Sequence, residues 1–285
     1  VISVRVKNKN NVKIPVIDKT DIKRFKRALD ELYDRYNHRE YVNPDPLIFL
    51  YNYDDTRDRE IAALVASSLA YGRVAQILKS VDLILSRMDS PSEFLKNESN
   101  RSIQKAFKDF KHRFTTGEDI SRMLTGTKRA INRHGSLEKC FKKGIRPDDE
   151  NLMPALMRFV AEIRNGKVFK DNGLMPCPSD GSACKRWNLF LRWMVRKDNV
   201  DPGGWDLPSS KLIVPLDTHM YKIGIGLGFT NRKQADLKTA IEITNVFREI
   251  NANDPVRYDF ALTRLGIRND ISIESFINRL KKEVA

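Results

Sequence analysis

The sequence predicts an all-α protein of about a dozen helices. Apolar residues recur at spacings of three and four along most of the 285 residues, the period of an amphipathic helix. Apart from the first few residues, which read as extended, no stretch alternates apolar and polar residues long enough for a sheet.

Thr20 and Asp21 are placed to cap a first helix reaching about residue 36, with Ile22, Phe25, Leu29, Leu32 and Tyr36 on its apolar face. Tyr41-Val-Asn-Pro-Asp-Pro-Leu47 reads as extended, because two prolines disfavour a regular helix there. A helix over about 57–71 is apolar nearly all round in its second half, which marks it as central. Gly72 interrupts it. The next helix, over about 73–88, turns Val74, Ile77, Leu78, Val81, Ile84 and Leu85 inward. Shorter helices rich in Lys and Arg are expected over about 92–97, 100–112, 117–133 and 136–143, then one over about 149–165. The stretch 166–180, with Gly173, Pro176 and Pro178, reads as irregular. A helix over about 182–196 follows, and a loop holding Asp201-Pro-Gly-Gly-Trp205 and Pro208 leads to Asp217. Helices over about 217–226, 234–250, 254–265 and 271–283 close the chain.

Composition narrows the function classes. Hydrophobic residues make up 41% and charged residues 31%, a globular balance rather than a disordered one. No apolar run approaches the roughly 20 residues needed to span a bilayer, so no membrane partner is expected. The opening Val-Ile-Ser-Val-Arg-Val lacks the pattern of a secretory signal. Lys and Arg number 51 against 37 Asp and Glu, a net +14. Such a surface suits a polyanion, nucleic acid first; the alternative is an enzyme with a merely basic surface, or one acting on small acidic substrates. Cys140, Cys177 and Cys184 are an odd set with no Cys-x-x-Cys pair, and His38, His112, His134 and His219 are scattered. This is neither a disulfide framework nor a metal-ligand pattern. A reduced, cytoplasmic protein without metal or cofactor is expected.

Two segments carry chemistry. In Pro178-Ser-Asp-Gly-Ser-Ala-Cys-Lys-Arg-Trp-Asn-Leu-Phe-Leu191, Gly181, Ser182 and Ala183 lead into a helix whose first turn holds Lys185. A tight turn of small residues at a helix start suits a phosphate. A lysine there sits in an unfavourable positive field, and desolvation would make its neutral amine a usable nucleophile. The plain alternative is an ordinary exposed helix lysine. In Leu212-Ile-Val-Pro-Leu-Asp-Thr-His-Met-Tyr-Lys-Ile-Gly-Ile-Gly-Leu-Gly228, Asp217 ends an apolar run where a helix begins. It reads as an N-cap, and a capping carboxylate so aimed can also stabilise a sugar cation or position a base.

Together these segments resemble the helix–hairpin–helix DNA glycosylases, the superfamily of endonuclease III and 8-oxoguanine glycosylase. The family hairpin, typically Leu-Pro-Gly-Val-Gly-x-Lys, aligns with Ser179-Asp-Gly181-Ser-Ala183-Cys-Lys185, where the first glycine is kept and the second is Ala. The family's Val-Asp-Thr-His followed by Arg-Leu-Gly appears as Leu216-Asp217-Thr218-His219 and Gly226-Leu227-Gly228. Upstream, Asn43-Pro-Asp-Pro-Leu47 and Ala63 to Arg73 resemble the family's entry and its DNA-facing turn. The resemblance runs from about residue 43 to 267 and is weakest between 90 and 150. The 32-residue gap between lysine and aspartate is similar to that of the archaeal 8-oxoguanine glycosylases. The chain also looks like an uncharacterised bacterial branch of these proteins. No cysteine follows Cys184, so the iron–sulfur loop of endonuclease III is absent.

The resemblance implies two helical subdomains with the active-site cleft between them. It implies an N-terminal extension and first helix over 1–40, a catalytic region over 41–267 with a basic insertion at about 90–145, and a C-terminal helix over 268–285. It implies a DNA repair glycosylase with abasic-site lyase activity. Lys185 attacks the sugar, expels an oxidised purine, 8-oxoguanine first, and forms a Schiff base; Asp217 assists. The partner is double-stranded DNA with a damaged base, bound by a nucleoid-associated monomer of bacterial type. Lys211 and Lys222 are rival amines. The open alternatives are a non-catalytic nucleic-acid-binding relative, in which Asp217 only caps, and an enzyme acting on modified RNA.

Base excision needs the nucleotide out of the stack, a wedge for the gap and flat partners for the base. Tyr71 and Arg73, at the turn between two helices, are the wedge candidates. Trp187, Phe190 and Trp205, with Trp193, are the pocket candidates, against the alternative of core packing. Phe190, Trp193 and Lys197 share one helix stripe and Trp187 sits with Leu191, so at least one tryptophan faces the core. Gly181, Ser182, Ala183, Ser210 and Lys211 are the expected phosphate contacts, and the lysine-rich stretch 93–145 is a further backbone-binding candidate.

Overall fold

The computed structural model describes residues 19–165, 173–265, 267 and 272–284. Helix is the dominant structure among them, with thirteen α-helices and one two-stranded hairpin. The expected extended start and residues 166–172 of the expected irregular stretch lie outside the described residues. No helix among those described is long and apolar enough to cross a membrane.

The described residues fall into two compact units. The first joins the N-terminal helix to Gly181–Arg192 and to the chain from Leu207 onward. Its helices are α1 (Lys19–Tyr36), α9 (Lys185–Val195) as far as Arg192, α10 (Thr218–Gly226), α11 (Leu237–Ile250), α12 (Asp259–Leu265) and α13 (Ile273–Val284). Helix α1 packs on α11, α12 and α13, so it is integral to this unit rather than an appendage. Phe25, Leu29, Leu32 and Tyr36 are buried along its inner face, and Phe25 meets Phe229 edge to face. Helix α10 has glycines where neighbours press closest. A Cβ at Gly224 would lie 2.4 Å from Ile243 Cδ1 of α11, and one at Gly226 would lie 2.3 Å from Ile277 Cδ1 of α13. Arg192 forms a buried ion pair with Asp259 of α12.

The second unit spans Val42–Asp180 and Trp193–Asp206. It holds α2 (Thr56–Ser68), α3 (Val74–Leu85), α4 (Pro91–Asn97), α5 (Asn100–Phe107), the strands β1 (Lys111–His112) and β2 (Thr115–Thr116), α6 (Gly117–His134), α7 (Leu137–Lys142) and α8 (Met153–Arg164). Helix starts follow local chemistry. Asp55, Ser90, Ser99 and Ser136 each accept a backbone N–H at the start of α2, α4, α5 and α7, and Thr116 with Asp119 closes a capping box on α6. Helix α2 is buried without interruption from Glu60 to Ser68, as its apolar circumference required.

Five expectations are corrected here. The Pro44–Pro46 run is not simply extended: Asp45 caps a 3₁₀ helix, Pro46–Asn52, with the proline at the first position, where no amide donor is needed. The helix expected to 71 stops at Ser68, and Val74 of α3 is 41% exposed rather than inward. The helix expected over 100–112 stops at Phe107, and an antiparallel hairpin follows. Gly117 packs against that end so closely that a Cβ would lie 1.7 Å from the Phe107 carbonyl oxygen. Helix α9 starts at Lys185, three residues late, because Gly181 and Cys184 adopt positive φ, 75° and 50°.

Candidate functional site

In the first unit, Lys185 is the opening residue of α9 and Asp217 is the N-cap of α10. Two helix starts thus converge across 32 residues of chain. Asp217 Oδ1 accepts the Met220 amide at 2.8 Å, and its Oδ2 lies 3.9 Å from Lys185 Nζ. One oxygen is spent on the cap and the other faces the amine. The side chains are 38% and 18% exposed, so burial does not desolvate the amine. Of the rival amines, Lys222 is exposed and Lys211 is half-buried.

The turn before Lys185 differs from the expected open phosphate cradle. Gly181 and Ser182 are exposed, but Ala183 and Cys184 are buried. A Cβ at Gly181 would touch nothing within 4 Å, so glycine serves the positive φ there and not a close approach. Ser182 pairs with Asp236 in an isolated antiparallel bridge. The Leu237 amide donates to the Gly181 carbonyl at 3.2 Å. The Cys184 amide turns to Ser182 Oγ at 3.3 Å, and Asn188 Nδ2 donates to the Ala183 carbonyl at 3.1 Å. Ser210 and Lys211 lie half-buried in the 3₁₀ turn Ser209–Lys211, whose Ser210 carbonyl accepts from Arg248.

A family model described as "Protein of unknown function (DUF2400)" matches residues 45–268. The chain belongs to this family. The match includes Lys185, Asp217 and the whole turn before α9, and leaves out α1 and α13. Comparison with curated proteins and with solved structures finds no match to either.

The aromatic pocket candidates are placed in cores. Trp187 and Phe190 are 2% and 0% exposed and meet edge to face with centroids 6.2 Å apart; a base would have to displace a neighbour to reach either ring. Trp205 belongs to the second unit, packed against Phe141 and Phe159, and its indole N–H donates to Glu60 Oε2 at 2.9 Å. Both its face and its polar handle are taken, so it is corrected from pocket to core.

Glu60 is the residue that sequence reading missed. It is 1% exposed, yet its Oε1 accepts the Leu137 amide at 2.8 Å and its Oε2 accepts the Glu138 amide at 3.1 Å as well as the indole. Burial pushes this carboxyl up to about 7, and the three hydrogen bonds only partly offset that. Nearby, burial and the charges of Glu162 and Glu60 push the Cys140 thiol up to about 12. Among the described residues, no group of three or more His, Cys, Asp or Glu is arranged to hold a metal ion.

The wedge candidates are also in the second unit. Tyr71 is held there: its hydroxyl meets Thr115 Oγ1 at 2.7 Å and the His112 carbonyl at 3.1 Å, and its ring packs on His112. Arg73 is exposed at the start of α3. What Tyr71 supports is the more prominent feature. The register Lys111↔Thr116 and His112↔Thr115 leaves Arg113 and Phe114 at the hairpin tip. Phe114 is 70% exposed, with the Arg113 guanidinium carbon 5.5 Å from its ring centroid. Arg113 adopts φ 53° and lies over Gly72, where a Cβ would meet its Cδ at 3.0 Å. Lys111 and Arg73 are exposed as well. A large exposed ring thus lies among cations at the tip. The stretch 93–145 carries 13 Lys and Arg against 6 Asp and Glu, a net +7 of the chain's +14.

Proposed function

We propose that the protein is a DNA glycosylase with abasic-site lyase activity, in which Lys185 is the nucleophile and Asp217 its proton acceptor and charge partner. The carrying observation is the approach of Lys185 Nζ to Asp217 Oδ2 at 3.9 Å, with each residue fixed at a helix start. An amine reacts only when unprotonated. Asp217 takes the ammonium proton, directly or through one water. The free amine attacks C1′ of the damaged nucleotide, and the bond from C1′ to the base breaks with its electron pair leaving on the base. Opening of the C1′–O4′ bond then gives the protonated Schiff base. Loss of a C2′ proton expels the 3′ phosphate and nicks the strand. During departure of the base, the Asp217 carboxylate also faces the positive charge growing on the sugar.

Basic residues in the stretch 93–145 and the Arg113–Phe114 tip support a nucleic-acid substrate. The motif spacing makes 8-oxoguanine the first lesion to test. A second reading, a nucleic-acid-binding relative without chemistry, draws on the Asp217 Oδ1 cap at Met220, which serves folding alone. Borohydride trapping on duplex DNA carrying 8-oxoguanine separates the two, with intact-guanine and abasic duplexes alongside. The glycosylase reading expects an adduct on the oxidised base that Lys185→Ala removes while binding persists. An adduct only at the abasic site, still dependent on Lys185, keeps the lyase and changes the base. No adduct with wild type on either lesion favours the binding protein.

A further inference from the structure

The two residues of the pair are linked by a second route, through the loop 229–236. It starts on α10: the Tyr221 amide bonds the Asp217 carbonyl at 2.8 Å, one turn along, and the Tyr221 hydroxyl donates to the Arg232 carbonyl at 2.8 Å. The loop is heavily hydrogen-bonded around Arg232. Its amide donates to Thr230 Oγ1 at 3.2 Å, and that hydroxyl donates to Glu242 Oε2 at 2.6 Å. Its guanidinium grips twice, Nε on Thr239 Oγ1 at 3.0 Å and Nη2 on Asp236 Oδ2. Asp236 caps α11 through the Thr239 amide at 2.9 Å and bridges Ser182, while the next amide, Leu237, holds the Gly181 carbonyl. Gly181 and Ser182 lead directly into Lys185.

The path therefore runs Asp217, Tyr221, Arg232, Asp236, Ser182, Lys185. We propose that the loop 229–236 is a clasp that sets the separation of Lys185 and Asp217, with Arg232 and Tyr221 as positioning residues. Neither need touch the substrate. The ion pair is too exposed to hold itself, because solvent screens a surface pair, and Lys185 has a long, flexible side chain. The turn before Lys185 takes positive φ at both Gly181 and Cys184, a conformation that Cys184, which is not glycine, adopts only when its surroundings impose it. The bridge to Asp236 and the bond from Leu237 supply that constraint. The Arg232 double grip fixes the carboxylate at the head of α11, and the Tyr221 hydroxyl ties the same loop to the helix that Asp217 caps.

The clasp rests on the glycosylase reading only for its consequence, not for its geometry, so the test has two arms. In the first, lysines are reductively ¹³C-methylated and the Lys185 resonance, assigned by its loss in Lys185→Arg, is followed by NMR. Asp217→Asn is expected to move it in the wild-type background and to leave it in place in Tyr221→Phe or Arg232→Ala, because the carboxylate no longer faces the amine. In the second, single-turnover trapping on abasic duplex is expected to slow by about 10²-fold in Arg232→Ala, the scale of a misplacement near 1 Å, with duplex affinity unchanged. Arg232→Lys, which keeps the charge but not the fork, is expected to restore it only in part. Tyr221→Phe removes a single hydroxyl and keeps the test valid if Arg232→Ala does not fold. Loss of the resonance coupling with no trapping in wild type supports the clasp and rejects the lyase. Coupling that survives in both variants, or, where wild type traps, trapping at the wild-type rate in Arg232→Ala, overturns the clasp.

Discussion

Two of the carboxylates that cap helix starts, Asp217 in one unit and Glu60 in the other, differ in what is left over. Asp217 caps its own helix with one oxygen, is 18% exposed and turns the other oxygen to Lys185. Glu60 caps α7 from α2, across 77 residues of chain, and is 1% exposed with both oxygens engaged by three N–H donors. Glu60 ties α2, α7 and Trp205 together and has no oxygen left without a donor. Asp217 holds little together beyond its own helix start, yet keeps an oxygen aimed at an amine. Cap chemistry alone therefore does not mark a functional residue. What distinguishes Asp217 is a second oxygen that faces an amine.

Substitutions sharpen this contrast because they should divide cleanly between chemistry and folding. The largest effect is expected for Lys185→Ala: single-turnover trapping falls by roughly 10³-fold or more. Its melting temperature stays close to wild type, since a 38% exposed lysine supports little. Next is Glu60→Ala, expected to lower stability by about 3 kcal/mol in urea unfolding, because buried donors lose their acceptors, with trapping per folded molecule unchanged. Asp217→Asn keeps the Oδ1 acceptor for Met220 and loses the charge; a fall of about 10²-fold in trapping with unchanged stability is the result that separates it from Glu60. Phe114→Ala, at the exposed tip, is expected to weaken duplex binding by about tenfold, within the 1–3 kcal/mol of a base–aromatic stack, and to leave thermal unfolding alone. A Glu60 variant that loses chemistry before stability, or an Asp217 variant that loses stability before chemistry, would break the comparison.

Acidity offers a second separation. The Glu60 carboxyl is raised from 4.5 to about 7 by burial, so the folded state binds its proton more tightly than the unfolded chain. Its contribution to stability is full below about pH 4.5 and is lost as pH rises through about 7. The size is on the order of 3 kcal/mol across that window. Urea unfolding of wild type and Glu60→Gln at a series of pH values checks this: the difference between the two curves should slope between those limits, and a flat difference would remove Glu60 as the cause.

Local signals were legible where the chain settles them itself. Asp217 capping α10 and the unbroken apolar circumference of α2 both follow from neighbours within a turn or two. Phe114 was not legible, because a two-residue pairing such as Lys111–His112 with Thr115–Thr116 is too short for any periodicity to register. The role of Glu60 depends on partners 77 and 145 residues away, a distance at which spacing carries no information. Trp205 misled for the same reason: an aromatic in a Gly-Gly loop looks available until its partner is known. Lys185 and Asp217 were singled out by motif resemblance, not by spacing; their 32-residue gap says nothing by itself about contact.

In the proposed mechanism Lys185, and not another of the many lysines, forms the covalent intermediate. The most direct test is tryptic mass spectrometry of the adduct reduced by borohydride on an 8-oxoguanine duplex, repeated on an abasic duplex. The Schiff-base mechanism requires the deoxyribose remnant on Lys185 in both. A remnant on Lys211 or Lys222, or one scattered over many surface lysines, would contradict it.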